Sequence, residues 1–268
     1  MLIAESVADV PMISGEMRLH IFKPAGSGFK LPCLLLFSEI YQVTGPIARL
    51  ARRLASEGYI VAAPEVYHEY LPAGTSLNYN AMDTDTGNRL KTTKKCVEFD
   101  NDAAAAIEFL IRFPDSNGAI GVIGMCLGGH LALRAAFHPK VLAGVCLFAT
   151  DVHSGTLGAG GDDSLSRLNE IGDSEMLFVF GKQDTHVPFS GRDIIRSALE
   201  IANVGFSWFE MNAHHAFIRD ELSKGRYDAS LANICFVAAS ELFHRRLILG
   251  MPQQREVVPD PSIPGPNC

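Results

Sequence analysis

None of the six cysteines in this chain (Cys33, Cys96, Cys126, Cys146, Cys235 and Cys268) stands in a C-x-x-C pair. That spacing argues against a zinc ribbon or a redox dithiol, and reduced thiols in a cytoplasmic protein are expected. Blocks of like charge are also lacking: 30 acidic and 23 basic residues are interspersed, for a net charge of −7. Without a basic stripe, nucleic acid is not an expected partner. The apolar stretches break off well before the ~20 residues that span a bilayer, so no membrane association is expected. The opening MLIAESVADVPMISG places Glu5 and Asp9 where an export signal needs a basic start and an apolar stretch, and no export is expected. No internal repeat is evident.

What is present is material for a large core. Of 268 residues, 47% are apolar and 20% charged, which fits one compact domain over residues 1–250. Short apolar runs (CLLLFSE, YIVAAPE, AIGVIG, LAGVCLF, MLFVFG, SWFEM) alternate with helix-periodic segments at 47–57, 102–113, 128–137, 190–203 and 227–249. That alternation predicts an α/β fold, with a mostly parallel open sheet and helices on both faces. An alternating segment at 17–24 is expected to add antiparallel strand at one edge. Two polar inserts, 65–95 and 151–163, each follow a strand end, where loops of open α/β sheets wall the ligand crevice. The stretch 251–268 holds five of the fourteen prolines and is expected to be a flexible tail.

One segment carries chemistry at its junction. The strand AIGVIG runs into Gly124-Met125-Cys126-Leu127-Gly128 and then into a helical pattern, giving strand, G-x-C-x-G, helix. In a nucleophile elbow the central residue is strained and exposed at the top of the sheet, and flanking glycines avoid clashes. Here that residue is Cys126. The following helix N-terminus favours a thiolate and an oxyanion, and the Leu127 amide would point at the latter. The string lacks the Lys and Ser/Thr of a phosphate loop. An elbow needs an acid and then a histidine later in the chain. Asp184, three residues past MLFVFG, suits the acid, and NAHHAFIRD offers His214 and His215, between which spacing does not decide. Asp184, His186, His214 and His215 could also be read as metal ligands, but no H-E-x-x-H helix accompanies them, and a metal site would leave the elbow unexplained.

At this level the chain, from about Met17 to Leu249, resembles the dienelactone hydrolase family, a cysteine-nucleophile branch of the α/β-hydrolase fold. The matching strings are GMCLGG at the elbow, GKQD for the acid, and His215-Ala216-Phe217, which fits the family's histidine pattern where His214 does not. Ser38-Glu39-Ile40-Tyr41 is similar to the family's glutamate-isoleucine-aromatic segment. The resemblance implies that Glu39 contacts the resting thiol and accepts its proton, that the Ile40 amide joins Leu127 in an oxyanion hole, and that Tyr41 lies against substrate. It also implies that Arg219 binds a substrate carboxylate. The family's second carboxylate-binding arginine falls in the polar insert, where Arg89 is the only arginine. The implied activity is hydrolysis of a small ester or lactone through a Cys126 acyl-enzyme, with no cofactor and no metal. A thioesterase or acyltransferase with the same residues, or a non-catalytic ligand-binding protein on this fold, are the alternatives.

Overall fold

The computed structural model describes residues 1–253 apart from 27 and 224. Among these residues eight strands form one sheet in the order β1-β2-β4-β3-β5-β6-β7-β8. They are β1 (Ile3–Met12), β2 (Gly15–Pro24), β3 (Leu31–Phe37), β4 (Ile60–Pro64), β5 (Ser116–Met125), β6 (Val141–Leu147), β7 (Glu175–Gly181) and β8 (Gly205–Met211). The pairs β1·β2 and β2·β4 are antiparallel, and the other five are parallel. Parallel strands need helical crossovers, which cover both faces and bury the strands on both sides.

The strand period of two sorts side chains between the faces. On β3, Cys33, Leu35 and Phe37 join one core cluster, and Leu34 and Leu36 join the other. The first cluster takes in α3 (Cys96–Arg112), α4 (Leu127–Ala135) and α5 (Phe189–Ile201); the second takes in α1 (Gly45–Ser56) and α6 (Ala229–Phe243). Helix α1 packs through an apolar stripe of Ile47, Ala51 and Leu54, whereas α4 is buried on every side.

Three expectations are corrected. The 17–24 strand is not at the edge: β1 pairs beyond it through Met12↔Gly15 and Ile3↔Pro24, making a hairpin at the margin. The alternation in IAESVADVPM was there, but its outer face is half-exposed and carries little apolar signal. The insert 65–95 contains a helix, α2 (Ala81–Thr93), on which only Gly87 and Leu90 are buried, so it has almost no apolar stripe. Helix α3 starts at Cys96 rather than at 102. Of the expected tail, residues 254–268 lie outside the described residues. Among the described residues, no helix is long and apolar enough to cross a membrane.

Candidate active site

The site is built at the carboxyl ends of the central strands. Among the described residues six non-glycine residues have a positive φ, and five of them (Gln42, Cys126, Phe148, Asp151, Ala216) lie just beyond the ends of β3, β5, β6 and β8. Left-handed backbone at such residues costs on the order of 1–3 kcal/mol each, and strain of this kind concentrates at functional sites. Cys126, at φ 59° and ψ −122°, is the N-cap of α4, so β5 turns into α4 without an intervening loop. The turn is possible because the backbones touch: a Cβ on Gly128 would stand 2.3 Å from the Phe37 carbonyl oxygen, and one on Gly124 would stand 2.0 Å from the Gly128 carbonyl oxygen. The thiol is half-buried, whereas Cys33, Cys96, Cys146 and Cys235 are buried.

Asp184 follows β7, and its Oδ2 lies 2.6 Å from Nδ1 of His215, in the loop after β8. The other oxygen, Oδ1, accepts the His186 amide at 2.8 Å. Burial is the largest influence and works against the Asp184 charge, but the hydrogen bond and charge of His215 and the His186 amide together outweigh it and hold the carboxyl below its usual range. For His215, burial disfavours the imidazolium, yet the charge and hydrogen bond of Cys126 and the contact with Asp184 outweigh it and push the pKa up to about 10. His215 therefore has the Cys126 sulfur on one side and Asp184 on the other. His214 is exposed. The His215 ring packs edge-on against Phe148 (5.1 Å between centroids) and lies 4.5 Å from the His186 ring. Burial, and then the His215 charge, lower the His186 pKa.

Glu39 is fully buried, and the structure gives its carboxylate to other partners than the one the resemblance implied. Arg219 Nη1 donates to Oε1 at 3.0 Å and the Tyr79 hydroxyl donates to Oε2 at 3.4 Å; no hydrogen bond to Cys126 is present among the described residues. Burial raises the Glu39 pKa even against the charges of Arg219 and His215. The Arg219 guanidinium lies 4.5 Å over Tyr79 and 6.0 Å over Tyr41. Tyr41 stacks edge-on with Tyr79 at 4.6 Å, and its hydroxyl is 2.9 Å from Thr84 on α2. Leu127 is the first residue of α4, where a helix leaves the amide without an intrahelical partner, and Ile40 follows Glu39 in the loop after β3. Arg89 is brought to none of these groups: it is exposed on α2, and neither a hydrogen bond nor an ion pair joins its side chain to a site residue among the described residues.

Several contributors were not singled out in the sequence. Tyr79 and α2 come from the 65–95 insert, and α2 packs so closely on the loop after β3 that a Cβ on Gly87 would stand 2.5 Å from the Ile40 carbonyl oxygen. A signal was available: Asn80 precedes Ala-Met-Asp83 in the pattern of a helix start, and its side chain accepts the Asp83 amide at 2.8 Å. The two inserts are tied together by Lys91 and Asp151, 2.9 Å apart. At the base of the first insert, the buried Lys94 ammonium binds Glu69 at 2.6 Å and also contacts Asp102. Those two carboxylates and His68 place potential ligand atoms within 4.8 Å of one another, but the Lys94 ammonium already lies among them as their counter-charge.

Comparison with known proteins follows the same outline. The family model "Dienelactone hydrolase family" matches residues 17–247. A Saccharomyces cerevisiae protein provisionally named a carboxymethylenebutenolidase is 44% identical over 92% of this chain and 93% of its own length. The carboxymethylenebutenolidase of Pseudomonas putida is 31% identical over 75% of this chain and 80% of its own. A Klebsiella pneumoniae structure provisionally described as a dienelactone hydrolase superposes with a TM-score of 0.76, at 20% identity, over 91% of this chain and all of that one, which bears on the fold alone. With the family model running from within β2 through α6 and taking in every strand of the sheet but β1, the chain belongs to the dienelactone hydrolase family.

Proposed function

We propose that this chain hydrolyses a small ester or lactone through a thioester on Cys126. The observation that carries this reading is the placement of a half-buried thiol on a strained elbow at a helix N-terminus, beside a histidine whose other nitrogen is 2.6 Å from a buried aspartate. A nucleophile, a base and a group that orients the base are the components of covalent acyl transfer.

The steps follow from that arrangement. The Cys126 proton passes to Glu39, whose affinity for a proton burial raises, while His215 is held as imidazolium by its surroundings. The sulfur attacks the substrate carbonyl, whose oxygen becomes an oxyanion facing the Ile40 and Leu127 amides. Collapse breaks the carbonyl carbon to alkoxy oxygen bond, and the His215 imidazolium gives its proton to the departing oxygen; in a lactone that oxygen remains on the acyl chain as a hydroxyl. Water, deprotonated by His215, attacks the thioester, and the carbon to sulfur bond breaks to release the acid. Asp184 holds the imidazole in one tautomer throughout.

The name shared by the relatives denotes a butenolide lactone carrying a carboxymethylene group, and a carboxylate on the substrate suits Arg219. Since Arg219 is already paired with Glu39, a substrate carboxylate would have to exchange with that glutamate, freeing it close to the elbow. The test is a panel of aryl esters and butenolides with the intact protein and Cys126→Ala, together with intact-mass detection of the acyl adduct after a rapid acid quench. Turnover that survives in Cys126→Ala, or no adduct under any condition, overturns the reading.

A further inference from the structure

Helix α6 turns Ala232, Cys235 and Ala239 toward the sheet, at spacings of three and four that place them on one face. Pro46 and Leu50 of α1, with Ile123 and Met125 of β5, stand across from them. Such short side chains on α6 do not fill the layer between helix and sheet. They leave an apolar cavity of about 120 Å³, partly open to solvent. Protein interiors are normally packed to the density of organic crystals, and an apolar cavity of roughly 150 Å³ in another protein stays dry and takes up benzene. Neither Cys126 nor His215 lines this space.

Charge at the rim narrows the choice of occupant. Three guanidinium groups border the cavity, those of Arg49, Arg53 and Arg219. Arg49 is held by Asp220, with Nε to Oδ2 at 2.5 Å and Nη2 to Oδ1 at 3.0 Å, and Arg219 is held by Glu39. Arg53 has only neutral partners among the described residues: it donates to Asn233 at 2.7 Å and lies 3.5 Å over the ring of Phe236, another residue of the cavity wall. An apolar chamber with one unneutralised cation at its mouth matches a molecule that has an apolar ring and a single negative charge.

We propose that the space between α1, α6 and β5, which shares only Arg219 at its rim with the catalytic residues, is a second binding site, for a small aromatic carboxylate. Its ring fills the cavity among Ile123, Met125 and Ala239, and its carboxylate meets Arg53. This does not depend on the reaction assigned to Cys126.

The experiment is calorimetric titration of the full-length protein with benzoate and with benzene at low ionic strength. Both are expected to bind at one site per chain. Benzoate should bind about two- to fivefold more tightly than benzene, a margin set by the exposed position of Arg53. Arg53→Gln should remove that margin. Ala239→Leu and Ala232→Leu, which fill the cavity from two positions, should each weaken both ligands at least about tenfold, since the occupied volume is lost. Carboxamidomethylation of Cys126 should leave both affinities unchanged. The proposal is overturned by any of four results: no saturable binding of either ligand, affinities that neither filling variant alters, a benzoate margin that survives Arg53→Gln, or loss of binding on alkylation of Cys126.

Discussion

Arg219 donates to Glu39 at 3.0 Å across 180 residues of sequence, and both side chains are buried. Two charges that compensate each other away from water can be lost together more cheaply than singly. Removing one partner of a buried pair costs about 3–5 kcal/mol, because the remaining charge is left without compensation. Arg219→Met should fall at the lower end of that range, since Tyr79 still donates to the carboxylate. The double variant Arg219→Met, Glu39→Gln should recover part of the loss. Urea unfolding of the wild type, the two single variants and the double variant checks this, and a double variant less stable than Arg219→Met contradicts it.

Thiol reactivity is expected to single out Cys126. Burial pushes Cys33 and Cys96 up to about 11 and Cys235 to about 12, and it raises Cys146 further, so none of them supplies thiolate near neutral pH. Among the cysteines of the described residues, only Cys126 is both half-buried and adjacent to a basic histidine. Iodoacetamide at neutral pH should therefore modify Cys126 before these four, with activity lost in step. Peptide mapping against time gives the order, and equal rates at all five positions would refute it.

The raised pKa of His215 sets a pH window. In the unfolded chain the group titrates near ~6.5, and in the folded chain at about 10, so the folded state holds the proton more tightly. The stabilisation this gives is complete below pH ~6.5 and is lost as pH rises through about 10. Burial opposes the charge, and Cys126 is the largest influence raising it, so Cys126→Ala should bring the His215 midpoint down. Following the His215 ring protons by NMR measures both values. A wild-type midpoint near ~6.5, unchanged in Cys126→Ala, would show that no such coupling exists.

Much of this site was legible in the sequence because its parts are local signals at strand ends. GMCLGG announces a tight strand-to-helix turn, and Asp184 and His215 each follow a strand that the apolar runs MLFVFG and SWFEM mark clearly. Glu39 and Arg219 were legible as positions, but their mutual pairing was not, since nothing in either segment encodes a contact made across the sheet edge. Tyr79 was hidden for a related reason: it lies in a polar insert whose helix is fixed by an Asn80 cap and by close packing of Gly87 on Ile40 rather than by an apolar stripe. Arg89 shows the opposite error. It was the only arginine in the insert, yet its turn of α2 points it to solvent.

The adjacent histidines should differ sharply when changed. His215 is buried and bonded to Asp184, whereas His214 is exposed. Loss of a positioned proton-transfer group costs roughly 10²–10⁴ in rate, so His215→Ala should lose at least about 10² and His214→Ala should stay within about threefold. Initial rates on one aryl ester suffice. The reverse order would move the base to His214 and leave the Asp184 contact without a catalytic role.

Substrate charge is the remaining expectation, and the Glu39 pairing makes it sharper. A free guanidinium would simply gain a partner on binding a carboxylate, but Arg219 has one already, so the gain is the difference between two ion pairs. That difference favours the substrate if Glu39 takes up the proton leaving Cys126, because a neutral carboxyl no longer competes for Arg219, and its raised pKa suits that exchange. Charge-assisted hydrogen bonds are worth about 1.5–3 kcal/mol, or roughly ten- to hundredfold in specificity. Lactones bearing a carboxylate should therefore exceed matched neutral lactones in kcat/KM by that factor. Arg219→Ala should erase the difference mainly through KM, and Arg219→Lys should restore only part of it, since an ammonium lacks the planar fork. Glu39→Gln should instead lower kcat for both substrates, because it removes the proton acceptor and leaves the cation in place. Specificity constants for one acidic and one neutral lactone across these four proteins separate the two roles. Equal values for the pair in the wild type would mean that Arg219 serves only to hold Glu39.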